Sequence, residues 1–230
     1  MSRIAIIPAR GGSKRIPMKN IKEFCGKPIL FYSIEAAMQT QLFDEVMVST
    51  DDENIATIAK KFGAHVPFLR SAATANDFAI LKDVLLEVLE KYSEQGQNFD
   101  EICCILPTAP LIDAVDISAS HEVLSKENCV SVIPVVKYSY TIFRSLKIDN
   151  GRLVMNWPEN YTVRSQDLPE AYHDAGVFYW YNMQYFKEPI AGFGEKASPY
   201  VLDEIKAQDI DTQEDWVMAE LKYKMLKEFV

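Results

Sequence analysis

Short apolar runs alternate with amphipathic stretches through the first half of the chain. Ile4-Ala5-Ile6-Ile7, Val46-Met47-Val48, Ile102 to Leu106 and Val130 to Val136 have the length and β-branched content of buried strands. Between them, Ile29 to Thr40, Asp52 to Phe62 and Ile80 to Tyr92 carry apolar residues at helical spacing. Strand and helix in alternation predict βαβ units, hence an α/β fold with a mainly parallel, Rossmann-like sheet between two helical layers. Thr50-Asp51-Asp52-Glu53 matches a capping box, with Thr50 expected to cap the helix and Glu53 to reciprocate.

From Tyr138 to about Glu170 aromatic and polar residues mix, and Asp149-Asn150-Gly151 is a hairpin-turn signal between two short strand-like runs. This region reads as a small antiparallel excursion from the sheet. Asp174 to Tyr181 returns as an apolar run rich in β-formers, and Thr212 to Glu228 closes as a helix with Thr212 and Asp215 at capping-box spacing. No repeat or linker interrupts residues 1–230, which are expected to form one domain.

At 230 residues and 48% hydrophobic content the chain can bury a core without disulfides or a structural metal. Cys25, Cys103, Cys104 and Cys129 form no C-x-x-C pair and read as reduced thiols. No run approaches the roughly 20 apolar residues that span a bilayer, so no membrane partner and a cytoplasmic location are expected. A net charge of −9, from 24 basic and 33 acidic residues, argues against nucleic acid as a partner. A small anionic substrate stays open, provided the cations are gathered in one place.

They are gathered after the first strand, in Pro8-Ala9-Arg10-Gly11-Gly12-Ser13-Lys14-Arg15-Ile16-Pro17-Met18-Lys19-Asn20. Ligands of open α/β sheets bind at the carboxyl ends of strands, glycines admit backbone N–H groups to a phosphate, and Arg and Lys supply the charge. The spacing is neither a Walker loop nor G-x-G-x-x-G. A solvated basic turn is the bland alternative. Near the other end, Asp209-Ile210-Asp211-Thr212 sets two carboxylates at i and i+2, on one side of an extended segment, where a divalent cation fits; helix capping by Asp211 or Thr212 is the alternative. His65, His121 and His173 form no ligand-spaced pair; His65 and His121 are expected at or near the surface.

Ala9-Arg10, Ser13-Lys14 and Lys19-Asn20 match A-R-x-x-S-K-x-x-x-x-K-N, and here the chain resembles the CMP-sialic acid synthetase family. The resemblance continues through Val48-Ser49-Thr50-Asp51, Leu69-Arg70, Pro107-Thr108-Ala109-Pro110-Leu111, Gly176-Val177-Phe178-Tyr179 and Asp209-Ile210-Asp211-Thr212. Arg164-Ser165-Gln166-Asp167-Leu168-Pro169 and Cys25-Gly26-Lys27-Pro28 are most similar to members that act on pseudaminic acid; members acting on N-acetylneuraminate or legionaminate are the alternative acceptor class. A nucleotide-binding protein without catalysis is the remaining reading.

The resemblance implies a nucleotide-diphospho-sugar transferase-like fold, and CTP with an acidic nine-carbon sugar as substrates. Arg10 and Lys19 would meet the triphosphate, helped by Gly11, Gly12, Ser13 and Lys14, with Asn20 near the nucleotide. Asp209 and Asp211 would hold Mg2+, and the mechanism expected from this set has Asp211, or a metal-bound water that it orients, take the proton of the attacking hydroxyl. Arg70, Arg144, Arg164, Gln166 and Tyr179 complete the implied substrate-binding set, and His173 is left as a sugar contact. The resemblance also implies a homodimer in which 138–170 reaches over the neighbouring subunit. Leu106 stands where many relatives carry Gln, and Ala79 lies in a stretch lacking their serine near the cytosine, so base recognition is expected to lean on backbone groups.

Overall fold

The β-branched runs do become strands, because each buries both faces: Ile4, Ile6, Met47, Ile102 and Cys104 point to one side of a sheet, and Ala5, Ile7, Val46, Val48, Cys103 and Ile105 to the other. A computed structural model describes residues 1–76, 78–127, 129–186, 194 and 196–228. The first strands are β1 (Arg3–Pro8), the small hairpin β2 (Glu23–Phe24) and β3 (Lys27–Pro28), then β4 (Glu45–Ser49), β5 (Glu101–Ile105) and β6 (Ser131–Lys137). The first four helices are α1 (Ile29–Thr40), α2 (Glu53–Lys61), α3 (Leu81–Glu94) and α4 (Ala114–Glu127). Hairpin β7 (Leu146–Asp149) and β8 (Arg152–Met155) follows, then β9 (Tyr172–Asp174), β10 (Phe178–Asn182), the single turn α5 (Met183–Phe186), β11 (Ala197–Val201) and α6 (Gln213–Glu228).

The seven-stranded sheet runs β11-β6-β10-β5-β1-β4, with β9 paired to β6. β9 and β10 are antiparallel to their neighbours and the other five strands share one direction. Helix α3 covers one face through Leu85, Val88 and Tyr92, while α1, α2 and α4 cover the other through residues such as Leu30, Ile34, Ile55, Ala59, Ile117 and Leu124. This is the expected three-layer α/β/α arrangement, and each large aliphatic side chain so enclosed contributes about 1.5–3 kcal/mol of burial. A third cluster, Ile16, Phe24, Ile29, Tyr32, Ile210, Trp216 and Ala219, packs α6 against the segment after β1. It joins the two ends of the chain.

The structure corrects three sequence expectations. The run from Asp174 to Tyr181 is two strands, broken where Gly176 takes a φ of 63° and Val177 turns its carbonyl to the amide of Leu106. Helix α2 is capped by Asp52, whose Oδ1 accepts from the amides of Asn54 (2.7 Å) and Ile55 (3.1 Å); Thr50 instead accepts from Asp52 N inside the preceding turn. His121 is buried, with Nε2 2.8 Å from Glu101 Oε2. At α6 the capping box forms as expected: Thr212 Oγ1 accepts from Asp215 N and Asp215 Oδ2 from Thr212 N. The β7–β8 hairpin turns at Asn150 (φ 49°) and Gly151 (φ 75°), the left-handed pair a two-residue turn requires.

Candidate active site

β1 ends at Pro8 on the carboxyl edge of the sheet, and the chain that leaves it is held from below. Ala9 N donates to Ser49 O at the end of β4, and Gly11 N donates to Asp51 Oδ1 at 2.9 Å. Gly11 is tightly placed: a Cβ there would lie 3.0 Å from both Cβ and Oδ2 of Asp52, so the Asp52 side chain would have to shift. Gly12 has open space around it. Met18, at φ 53°, turns the chain back, and buried Asn20 donates from Nδ2 to Arg10 O (2.9 Å), closing the loop on itself.

The far end of the chain completes the site. Lys19 Nζ donates to Ile210 O at 2.7 Å and stands 3.7 Å from Asp211 Oδ1, which Arg15 Nη2 meets at 2.8 Å. The result is a cleft of about 600 Å³ whose charged lining is Arg10, Lys14, Arg15 and Lys19 against Asp209, over an apolar floor that includes Pro8, Ile16, Leu106 and Pro107. In a chain of net charge −9, such a surplus of cations at a strand's carboxyl edge builds a field for a polyanion.

Asp209 is the exception within it. Its carboxylate makes no hydrogen bond or ion pair with any described residue, and its pKa is raised, first by partial burial and then by the charge of Asp211, against the pull of Lys19 and Arg15. Asp211 is already engaged by Arg15 and Lys19. Among the described residues no three His, Cys, Asp or Glu side chains gather as a metal cage. Asp209 in the cleft wall, with Asp211 next to it, is nevertheless a donor set that suits Mg2+, which is usually held by one or two carboxylates with phosphate oxygens and water filling its shell.

Across Asp209 lies a second cavity of about 360 Å³, formed by Val136, His173, Asp174, Ala175 and Gln208 among others. Tyr179, early in β10, donates from its hydroxyl to Asp174 Oδ2 at 2.8 Å, while Asp174 Oδ1 accepts from Gly176 N. Burial, and then Asp174, push the Tyr179 phenol well above its ordinary pKa, so it stays a donor.

Of the residues singled out from sequence, Arg10, Ser13, Lys14, Lys19, Asn20 and Asp209 line the cleft, and Asp211 stands directly behind it. Gly11 and Gly12 shape the loop, with the Gly11 amide already spent on Asp51. Arg70 does not line the cleft: it is buried beneath, donating from Nε to Ser49 Oγ (3.1 Å) and from Nη2 to Ser49 O (2.6 Å), so it braces the end of β4. Arg144 is exposed at the end of a 3-10 turn. Arg164 is exposed and bound to Asp167, and Gln166 borders a separate depression beside Tyr138. These three are not brought to the cleft of their own chain. Asp174, Gln208 and the bracing Asp51 were not singled out; they meet the site only through β9, the segment before Asp209 and the turn after β4.

Residues 4–227 match the sequence family described as Cytidylyltransferase. The chain is 38% identical over 226 residues to the pseudaminic acid cytidylyltransferase of Campylobacter jejuni, covering 98% of this chain and 97% of that one. It is 31% identical over 224 residues to the CMP-N,N'-diacetyllegionaminic acid synthase of Legionella pneumophila, covering 96% and 95%. A solved structure of CMP:2-keto-3-deoxy-manno-octonic acid synthetase complexed with CTP superposes with a TM-score of 0.72 at 18% identity, over 99% of this chain and 100% of that one, which is a likeness of fold. A match along nearly the full length of chain and relatives alike leaves no room for another assignment: the chain belongs to the cytidylyltransferase family and is a CTP-using nucleotidyltransferase.

Proposed function

We propose that the protein transfers CMP from CTP to pseudaminic acid, an acidic nine-carbon keto sugar, releasing pyrophosphate. The observation that carries this reading is the meeting of the Arg10–Lys19 loop with Asp209 and Asp211 around one cleft, from opposite ends of the sequence. The acceptor follows the 38% identical Campylobacter relative. The 31% identical Legionella relative supports a legionaminate derivative as the second reading.

In the transfer, the sugar's anomeric hydroxyl oxygen bonds to the α-phosphorus, the bond from that phosphorus to the bridging oxygen breaks, and pyrophosphate carries the negative charge away. Such chemistry depends on positioning and charge stabilisation. Arg10, Lys14 and Lys19 offset charge on the departing pyrophosphate, and the Ser13 hydroxyl offers a neutral donor. Asp209 and Asp211 would hold Mg2+, which when bound neutralises phosphate oxygens. Asp211, expected to receive the hydroxyl proton, is engaged by Arg15 and Lys19. Asp209 is the freer carboxylate, and it borders both cavities, so it can accept the sugar hydroxyl's hydrogen bond, aim that oxygen at phosphorus and take up its proton as the new P–O bond forms. The cavity around His173, Asp174 and Gln208 would take the sugar.

The ribbon β7–β8 exposes Leu146, Ile148 and Leu153, an apolar surface suited to a second copy of the chain. A homodimer through this segment would carry Arg144, Arg164 and Gln166 toward the partner's acceptor cavity. Four free cysteines suit the cytoplasm, where CTP is made, and no helix among the described residues is long and apolar enough to cross a membrane.

The test is incubation of the purified protein with CTP, Mg2+ and, separately, pseudaminic, N,N'-diacetyllegionaminic and N-acetylneuraminic acids, reading CMP-sugar by mass. CMP-pseudaminate as the main product supports the proposal. Conversion of another acid in its place overturns the acceptor, and absence of any CMP-sugar overturns the activity on this substrate class.

A further inference from the structure

Arg10 does not project into the cleft unaided, since its Nη1 donates to Asn76 O at 3.1 Å, in the turn that precedes α3. Asn76 shapes that turn with its own side chain: Oδ1 accepts from the amides of Phe78 and Ala79, and Nδ2 donates to Ala73 O at 2.6 Å. The turn is in turn tied to α3 by one carboxylate. Glu87 accepts from Ser71 N (2.8 Å), Ser71 Oγ (3.0 Å), Thr74 Oγ1 and Lys91 Nζ (2.7 Å). Lys91 adds a bond to Leu69 O at 2.8 Å, so the segment is pinned on both sides of Arg70.

Glu87 itself takes no part in lining the cleft. Four donors converge on it, and a carboxylate is the side chain that offers only acceptors. An amide of the same shape would turn one acceptor into a donor facing donors, freeing the turn without opening a cavity.

We propose that Glu87 is a positioning residue for nucleotide binding: it fixes the 71–76 turn so that the Asn76 carbonyl aims Arg10 at the triphosphate. The inference rests on the reading of Arg10 as a phosphate ligand. It adds that affinity for CTP is set partly from a helix outside the cleft, through the turn that carries Asn76.

A double-mutant cycle separates the two. CTP binding by calorimetry and steady-state kinetics would be compared for the wild type, Glu87→Gln, Arg10→Ala and the double variant. Losing charge-assisted bonds from the turn is expected to raise the Kd and KM for CTP about tenfold. The kcat should fall as well, because Arg10 also offsets the charge that grows on the departing pyrophosphate. In the Arg10→Ala background the same substitution should leave CTP affinity unmoved. Thr74→Val, which removes one donor and leaves the Glu87–Lys91 pair, should give a smaller shift of the same kind and serves if Glu87→Gln folds poorly. An equal loss of CTP affinity on Glu87→Gln in both backgrounds overturns the positioning role alone. An Arg10→Ala protein that binds CTP like the wild type overturns the phosphate reading, and this inference with it.

Discussion

At the amino edge of the sheet, Glu101 is enclosed between Arg3 Nε at 2.7 Å and His121 Nε2 at 2.8 Å, and His121 lies against the buried ring of Trp180. At the carboxyl edge, Asp209 stands beside Asp211, its carboxylate without a hydrogen bond or ion pair to any described residue, and Arg10, Lys14, Arg15 and Lys19 line the same cleft. The two carboxylates respond in opposite directions. The hydrogen bond from His121, and then the one from Arg3, hold Glu101 below the usual carboxylate range despite burial, whereas burial and Asp211 push Asp209 above it. One edge satisfies its charges internally and gains stability from them. The other leaves the charge of Asp209 disfavoured by partial burial and by its neighbour Asp211.

Substitution of Asp209 breaks the comparison most sharply. Asp209→Asn should lower turnover by about a hundredfold or more, the scale on which a charge-positioning group acts. Because the folded-state pKa of Asp209 is raised, its contribution to stability is full below the unfolded value and is lost as pH rises through the folded one. The amide escapes that loss, so at pH 7 the variant should melt no lower than the wild type; thermal unfolding beside a pyrophosphate assay checks both halves.

Glu101→Ala is the opposite experiment. Removing one member of a buried, paired set leaves Arg3 and His121 uncompensated and should cost about 3 kcal/mol of stability, read by denaturant unfolding. The KM for CTP should not move. Wild-type Glu101, with its depressed pKa, contributes stability above the unfolded carboxylate range and loses it as pH falls, so the gap between the two proteins should narrow in acid. Gly11→Ala sharpens the contrast with the smallest effect: the added methyl, 3.0 Å from Asp52, should cost about 1–2 kcal/mol by overpacking. It should also weaken CTP binding, because the same contact sets the loop's path.

Much of this was legible in the residues themselves. β1, β4 and β5 declare themselves because strands buried on both faces must be apolar throughout, and α1 because its stripe has helical period. The direction of β10 was hidden, since Phe178 to Asn182 would pack equally well running either way between β5 and β6. The helix cap was misplaced by two residues because Thr50, Asp51 and Asp52 are all competent caps, and only the path of the turn selects Asp52. The cationic loop stood out against the acidic chain, and the structure gathers it where a strand ends. Arg70 could not be separated from the cleft arginines, because a buried brace and a phosphate ligand are the same residue type until burial is known. Asp174 and Gln208 carry no local signal; only the pairing of β9 with β6 brings Asp174 alongside the segment before Asp209.

The bond from Lys19 to the carbonyl of Ile210 has a temporal consequence. A ribosome releases the cationic loop almost at once, but the aspartates that face it come only after every strand of the sheet has been made. An unfinished chain therefore lacks one wall of the cleft, which is completed only when the segment carrying Asp209 and the helix after it are in place.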